Sequence, residues 1–146
     1  MGQCGILCLT NEQIEKMPRF SYEGQTFYVK VCEIYDGDTC SIVIVDGACY
    51  NYKKIRVRCN GYDSPEIKPL LSVKDRDLEI ENAKKAKIYL TSLVENKILK
   101  ARCGKFDKYG RLLVDFYDPW NNMHINKNMI ENGHGIPYFG GTKSIT

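Results

Sequence analysis

The chain has 146 residues, the length of a single domain with one hydrophobic core. Hydrophobic residues make up 43% and charged residues 27%, the balance of an ordinary soluble globular domain. A net charge of +3 is too small to identify a binding partner. No stretch approaches the roughly 20 apolar residues of a transmembrane segment, which excludes an ordinary membrane-spanning protein.

Cysteine usage indicates a reducing environment. The seven cysteines are odd in number and form no CxxC pair, so neither a disulfide framework nor a zinc site is predicted. Several stand at apolar strand positions, where cysteine packs as a small core residue. We therefore expect an intracellular protein, in the cytoplasm or at the cytoplasmic face of a membrane.

The N-terminus has features of a lipid-modified segment. Loss of Met1 would expose Gly2 for myristoylation, and Cys4 offers a palmitoylation site, although Ile6 replaces the usual Ser or Thr. Two acyl chains would give stable membrane association. The alternative is an N-terminus with no such role. The apolar run at 5–9 is too short for a signal peptide. We interpret residues 1–20 as a tail and 21–146 as the domain.

Three strands are predicted in the first half of the domain, at residues 26–35, 38–45 and 50–60. The segments are rich in β-branched and aromatic residues. Asp46-Gly47 is a strong hairpin turn signal between the second and third. Ile55, Val57 and Cys59 alternate with basic residues, which predicts one buried and one exposed face for the third strand.

The second half combines helices and strands. Residues 76–96 are predicted to be helical because a stripe of Ala83, Ala86, Leu90, Leu93 and Val94 follows helical spacing. A loop at 62–75 precedes this helix. Strands at 97–103 and 111–117 and a short helix at 123–132, capped by Gly133, follow. This order predicts an α+β, mainly β fold: a five-stranded OB-fold barrel with a helix after strand three and a short C-terminal helix.

Four acidic residues surround two sharp turns. Asp36 and Asp38 occur in YDGDT, while Asp63 and Glu66 occur in YDSPE. Side chains two apart on a strand share a face, and Asp63 would end the neighbouring strand, so the carboxylates are predicted to meet. Close carboxylates repel unless a cation joins them, and oxygen ligands suit Ca²⁺ or Mg²⁺. Either motif taken alone is more often an ordinary turn.

Two arginines accompany these acids. Arg58 lies on the strand that enters the YDSPE loop, and Arg111 follows the turn at residues 107–110. Arginine donates paired hydrogen bonds to phosphate oxygens, a geometry that lysine does not reproduce. Each arginine alone is more often a surface residue, but the acids and arginines together favour a site for phosphodiester chemistry.

The motifs DGDT (36–39), RVRCNGYDSPE (56–66) and DKYGR (107–111) resemble the staphylococcal nuclease family in order and spacing. The resemblance covers roughly residues 26–140. The C-terminal helical segment of the family's best-known member is longer than the segment that follows Tyr138 in this chain.

The resemblance implies roles for individual residues. Asp38 and Asp63 match the calcium-binding carboxylates, and Ser64 stands where a main-chain carbonyl binds the ion, although the best-known member has Thr there. Glu66 matches the residue that orients or deprotonates water. The remaining matches are the phosphate-clamping Arg58 and Arg111, the supporting Asp36 and Thr39, the nucleotide-contacting Lys108 and Tyr109, and the base-stacking Tyr138.

The implied activity is Ca²⁺-dependent hydrolysis of DNA and RNA, with unpaired strands preferred, 3′-phosphates left and little sequence specificity. A monomer is expected. The alternative is a non-catalytic nucleic-acid or protein binding module, as in family domains that have lost the acids and arginines retained here. A membrane-tethered scaffold with a vestigial site is a third reading.

Overall fold

The computed structural model describes residues 4–47 and 50–140, with the side chain of Cys4 left out. Gly2 and the Cys4 side chain therefore lie outside the described residues, and lipid attachment stays a prediction. The monomeric state and the boundary between tail and domain also stay predictions. Within the described residues, no helix combines the length and the apolar character needed to cross a membrane.

Five strands close into the predicted OB-fold barrel. The elements in chain order are α1 (Cys4–Leu7), α2 (Asn11–Lys16), β1 (Thr26–Ile34), β2 (Thr39–Val45), β3 (Tyr52–Cys59), β4 (Tyr62–Asp63), α3 (Arg76–Val94), β5 (Ile98–Phe106), β6 (Leu112–Tyr117), α4 (Ile125–Glu131) and β7 (Ile136–Pro137). The strand order around the barrel is β1-β2-β3-β6-β5, and neighbouring strands are antiparallel, except that β3 and β6 run parallel.

The core fills the inside of the barrel and the space under α3. Val57 and Cys59 of β3 are buried whereas Arg56 is exposed, so the predicted alternation is confirmed, although Arg58 on the outer side is itself largely buried in a cleft. The predicted stripe of α3 is also confirmed, because Ala83, Ala86 and Leu90 are fully buried. The loop that precedes α3 contains Glu66, and Asp63 lies directly before this loop, in β4.

The N-terminal segment contains more structure than the predicted tail. It forms two short helices, and Thr10 begins α2 with a capping box in which its hydroxyl and the Gln13 side chain exchange hydrogen bonds with main-chain groups. This T-x-x-Q pattern is a recognisable helix start. No residue of α2 is buried, so the helix contributes nothing to the barrel core.

The C-terminal part of the domain is closely tied to the barrel. Gly133 ends α4 with a φ of 76°, and the main-chain bonds of the following turn form a Schellman motif, which confirms the predicted cap. Buried Asn126 of α4 donates to the carbonyls of Asn60 and Val114. Helix α4 therefore holds the turn that leads from β3 toward Asp63.

A small second sheet was not predicted. Tyr62, in the predicted loop, pairs with Pro137, and Asp63 pairs with Ile136, which joins β4 and β7. Each strand has two residues, too few for an alternating pattern to be visible in the sequence.

Candidate functional site

A cleft of about 530 Å³ lies at one end of the barrel, where the β1–β2 turn, the end of β3 and the β5–β6 turn meet. Nearly all of the site residues predicted from the sequence line it. These are Asp36, Asp38, Arg58, Asp63, Ser64, Glu66, Lys108, Tyr109, Arg111 and Tyr138. The structure therefore brings together side chains from separate parts of the chain.

The YDGDT segment is a turn, and the expectation that Asp36 and Asp38 share a strand face is wrong, because β2 begins only at Thr39. The Asp36 carboxylate accepts hydrogen bonds from the main-chain N–H groups of Asp38 (3.0 Å) and Thr39 (2.8 Å). A short acidic side chain that bonds to its own turn is typical of aspartate. Asp36 thereby fixes the main chain that presents Asp38 to the cleft.

Two further residues hold this turn in place, and sequence reasoning missed both. The hydroxyl of fully buried Tyr62 donates to the Gly37 carbonyl at 2.7 Å. A Cβ atom on Gly37 would lie 2.8 Å from the Cβ atoms of both Ala86 and Ser64. Only glycine allows this close approach, which brings the turn against α3 and the YDSPE loop.

Asp38 and Asp63 are both buried at the base of the cleft, 8% and 6% exposed. The Asp38 carboxylate accepts hydrogen bonds from the Thr39 hydroxyl (2.8 Å) and from the main-chain N–H of Ser64 (2.9 Å). Asp63 lies on β4 and not at the end of β3, as the sequence reading assumed. Its meeting with Asp38 therefore depends on the turn at residues 60–61.

Arg58 lies between the two carboxylates. One guanidinium nitrogen donates to Asp63, and the other is 3.7 Å from an Asp38 oxygen. Burial lowers the pKa of Arg58, but the negative charges of Asp38 and Asp63 outweigh that effect and raise it. The guanidinium is thus permanently charged and aimed into the cleft.

Negative charge is concentrated beside this arginine. Burial, followed by the charge of Asp38, raises the pKa of the Asp36 carboxyl above its ordinary value. No group of three or more His, Cys, Asp or Glu side chains within residues 4–47 and 50–140 is arranged to hold a metal ion. The family resemblance implies a smaller set, namely the carboxylates of Asp38 and Asp63 with the main-chain oxygen of Ser64. These hard oxygen donors fit Ca²⁺ or Mg²⁺, with places left for substrate and water.

Arg111 is held by Asp107, a residue that the sequence analysis did not single out. Asp107 accepts a hydrogen bond from the Arg111 side chain at 2.7 Å and from its main-chain N–H at 2.9 Å. Arg111 also donates to the Thr39 hydroxyl at 3.3 Å. Burial raises the pKa of the Asp107 carboxyl, but hydrogen bonds from Arg111 and from the Tyr109 N–H lower it overall. Asp107 thus orients Arg111 toward the β1–β2 turn.

Glu66 is exposed at the rim of the cleft. Its main-chain N–H donates to the carboxylate of Glu79 at 2.9 Å, which attaches the YDSPE loop to the first turns of α3. Nothing in the local sequence indicates this contact, because it depends on how α3 packs after the loop. Glu79 is therefore a positioning residue that only the structure reveals.

The C-terminal segment completes the cleft through the β4–β7 pairing. The main-chain N–H of Tyr138 donates to the Gly61 carbonyl at 2.9 Å. The Tyr138 ring centroid is 5.7 Å from the Arg58 guanidinium carbon. On the other side, Tyr109 lies 5.3 Å from the guanidinium of Arg111. Each arginine therefore has an aromatic ring beside it, with Lys108 next to Tyr109.

Comparison with known proteins identifies the family of this chain. The model of the family described as staphylococcal nuclease homologue matches residues 56–143, more than half of the chain. The chain belongs to this family. The match begins in β3, so it includes Arg58, Asp63, Glu66 and Arg111 but not Asp38, which comes earlier in the chain.

Two rice proteins (Oryza sativa subsp. japonica) are similar to part of this chain. They are named probable staphylococcal-like nuclease CAN2 and probable staphylococcal-like nuclease CAN3, and each is 30% identical over 82 residues. The aligned region covers 56% of this chain but 19% and 18% of the two relatives. The chain thus spans about a fifth of the length of these curated proteins.

Proposed function

We propose that this domain is a calcium-dependent nuclease that hydrolyses phosphodiester bonds of DNA and RNA. The observation that supports it most is that Asp38, Asp63, Arg58 and Arg111, from separate segments, line one cleft. Family membership agrees with a nuclease. The combination of clustered oxygen donors and two guanidinium groups suits a bound phosphate better than any other common group.

The carboxylates of Asp38 and Asp63, with the main-chain oxygen of Ser64, would hold the divalent ion. When bound, the ion would neutralise phosphate charge and act as a Lewis acid on a phosphate oxygen. Asp36 supports this group by fixing the turn that presents Asp38, and Thr39 donates to the Asp38 carboxylate. The ligand types suit Ca²⁺ and Mg²⁺ alike, and the choice of Ca²⁺ follows the family resemblance.

Arg58 and Arg111 stabilise the negative charge that develops on the phosphate oxygens when water attacks the phosphorus atom. Arg111 needs little reorganisation, because Asp107 already orients it. Preorganised donors of this kind are among the largest contributors to catalysis. Glu66 at the rim positions the attacking water or accepts its proton. Attack in line with the 5′ oxygen would leave a 3′-phosphate.

Substrate recognition is directed at the backbone. Lys108 and Tyr109 would contact a terminal phosphate, and Tyr138 would stack on a base. Phosphate contacts contain no sequence information, so cleavage of both nucleic acids with little sequence preference is expected. Unpaired strands fit best, because a base that stacks on Tyr138 cannot at the same time be paired with a base of the complementary strand.

The first test is hydrolysis of single-stranded DNA and RNA with Ca²⁺, Mg²⁺ or excess chelator. We expect cleavage with Ca²⁺, its loss in chelator, and products that end in 3′-phosphate. Binding of the same strands without cleavage under any metal condition would indicate the non-catalytic module instead. A matched preparation of the Asp38→Asn, Asp63→Asn double variant excludes a contaminating nuclease, because it should show no metal-stimulated cleavage.

A further inference from the structure

The outer face of β3 continues from the cleft. Side chains alternate along a strand, so Arg58, Arg56, Lys54 and Tyr52 point to the same side, about 7 Å apart from one to the next. Arg58 lies inside the cleft, whereas Arg56 and Lys54 are exposed and Tyr52 is 66% exposed. A row of positive side chains therefore leads out of the cleft along the barrel wall.

Arg56 has an unneutralised charge in a fixed position. Its guanidinium carbon lies 4.5 Å from the centroid of the Tyr35 ring. The Tyr35 hydroxyl is held in turn by Glu33 at 2.7 Å and by Ser41 at 3.1 Å. Among the described residues Arg56 forms no ion pair with a carboxylate. A stacked arginine of this kind loses little conformational freedom when it binds phosphate.

Lys54 lies next along the row and is paired with Glu33 at 2.6 Å. Both side chains are about half exposed, and exposed pairs of this kind are weak enough for a phosphate to displace the carboxylate. Lys30 stands across the sheet, since Lys30 pairs with Val43 and Val43 with Lys54. Two lysines, one on β1 and one on β3, therefore flank Val43 of β2 at the middle of the row, with Glu33 as the neighbouring acidic side chain.

The far end of the row is aromatic. Tyr52 is exposed there, and Tyr28 on β1 is 64% exposed with the Lys100 ammonium 5.7 Å from its ring centroid. Exposed tyrosines are also ordinary strand residues. Next to a basic row, however, an aromatic face offers what single-stranded nucleic acid needs in addition to charge, namely a surface on which a base stacks.

We propose that Tyr52, Lys54 and Arg56 with Tyr35, here called the β3 track, bind the part of a single-stranded nucleic acid that extends beyond the cleft. The inference rests on the proposed function, because it takes the cleft as the place of the scissile phosphate. Charge complementarity and continuity with Arg58 support this occupant. An acidic peptide would also match the positive charges. It would not explain, however, why the row of basic side chains begins at a cleft that is proposed to bind phosphate.

A double variant, Lys54→Gln with Arg56→Gln, tests the β3 track. Its matched control is Lys84→Gln with Lys85→Gln on the exposed side of α3, where Lys85 pairs with Glu81 much as Lys54 pairs with Glu33. The measured quantity is the ratio of kcat/KM for a strand of about twelve thymidines, a typical site length, to kcat/KM for a short p-nitrophenyl phosphodiester. We expect this ratio to fall about tenfold in the track variant, through a higher KM for the long strand. The control variant should keep the wild-type ratio.

Binding measured in chelator separates this proposal from the proposed function. Fluorescence anisotropy with the labelled strand should show weaker binding for the track variant. The slope of log K against log salt should be shallower by roughly 1 to 1.5, as expected for the loss of two phosphate contacts. If wild type binds but never cleaves, the nuclease proposal fails while the track stands. Equal binding by track and control variants, or preference for an acidic peptide over the strand, would overturn the track.

Discussion

The Arg58 guanidinium donates a hydrogen bond to the carboxylate of Asp63 inside the cleft. One of these groups is proposed to bind phosphate and the other a cation, so each neutralises the other in the structure described here. Arg58 also lies 3.7 Å from the Asp38 carboxylate. Substrate and cation are therefore expected to bind together. When the Arg58–Asp63 ion pair separates, the phosphate pairs with the guanidinium and the cation pairs with the carboxylate.

Replacement of Arg58 by Lys keeps the charge but removes the paired donor geometry. We expect the rate of hydrolysis to fall about 10²–10³-fold, the usual cost of losing one preorganised donor, while the unfolding midpoint changes little. Single-turnover hydrolysis and thermal unfolding measure the two effects. Arg102→Lys, an exposed position on β5, is the matched control and should retain wild-type activity. Unchanged turnover in the Arg58 variant would remove this residue from the mechanism.

Asp63→Asn removes a negative charge from the proposed cation site, while the side chain keeps nearly the same size. The Ca²⁺ concentration that gives half-maximal hydrolysis should rise at least tenfold, since a carboxylate binds Ca²⁺ far better than an amide oxygen. A calcium titration of activity measures this change. Asp75→Asn is the control, because Asp75 is exposed and its left-handed backbone (φ 53°) tolerates asparagine. An unaltered calcium requirement in the Asp63 variant would exclude Asp63 as a ligand.

Asp107→Asn tests whether Arg111 depends on its partner. Loss of the charge-assisted bond should lower kcat about tenfold with little change in KM, because the arginine acts on the transition state. The lowered pKa of Asp107 also predicts a pH dependence of stability. The carboxylate stabilises the fold above the unfolded-state pKa of about 3.9 and loses this effect as pH falls toward its lower folded-state value. The difference in unfolding midpoint between wild type and variant should therefore be present at pH 7 and shrink below pH 4.

Tyr62→Phe removes the hydroxyl that donates to the Gly37 carbonyl. A buried carbonyl left without this donor should lower the free energy of unfolding by about 1–3 kcal/mol. Urea denaturation at 25 °C measures the loss. Tyr50→Phe, at an 80% exposed position, is the control and should change stability by less than about 0.5 kcal/mol. An equal effect of both substitutions would show that the hydroxyl does not support the turn.

The barrel strands and α3 were predictable because apolar residues recur at one regular spacing along each of these elements. The alternation at Val57 and Cys59 and the stripe at Ala86 and Leu90 both match the observed burial. The clustering of the cleft residues was also expected, since the order and spacing of the motifs resemble a known family pattern in which these turns meet.

The remaining features depend on contacts between residues far apart in the chain. The pairing of Tyr62 with Pro137 has no local signal, because two residues show no period and proline is rare in strands. The bond from Glu66 to Glu79 depends on the path of the loop before α3. The close approach at Gly37 depends on packing against Ala86, which no turn motif reveals.

Strand β7 has a consequence for how the protein matures. A nascent chain that has emerged only as far as α4 already contains Asp38, Arg58, Asp63, Glu66 and Arg111, yet it lacks the partner strand of β4. During synthesis the barrel can therefore close before the cleft is complete. Removal of the segment that follows α4 would leave the same side chains in the folded domain without the β4–β7 pairing.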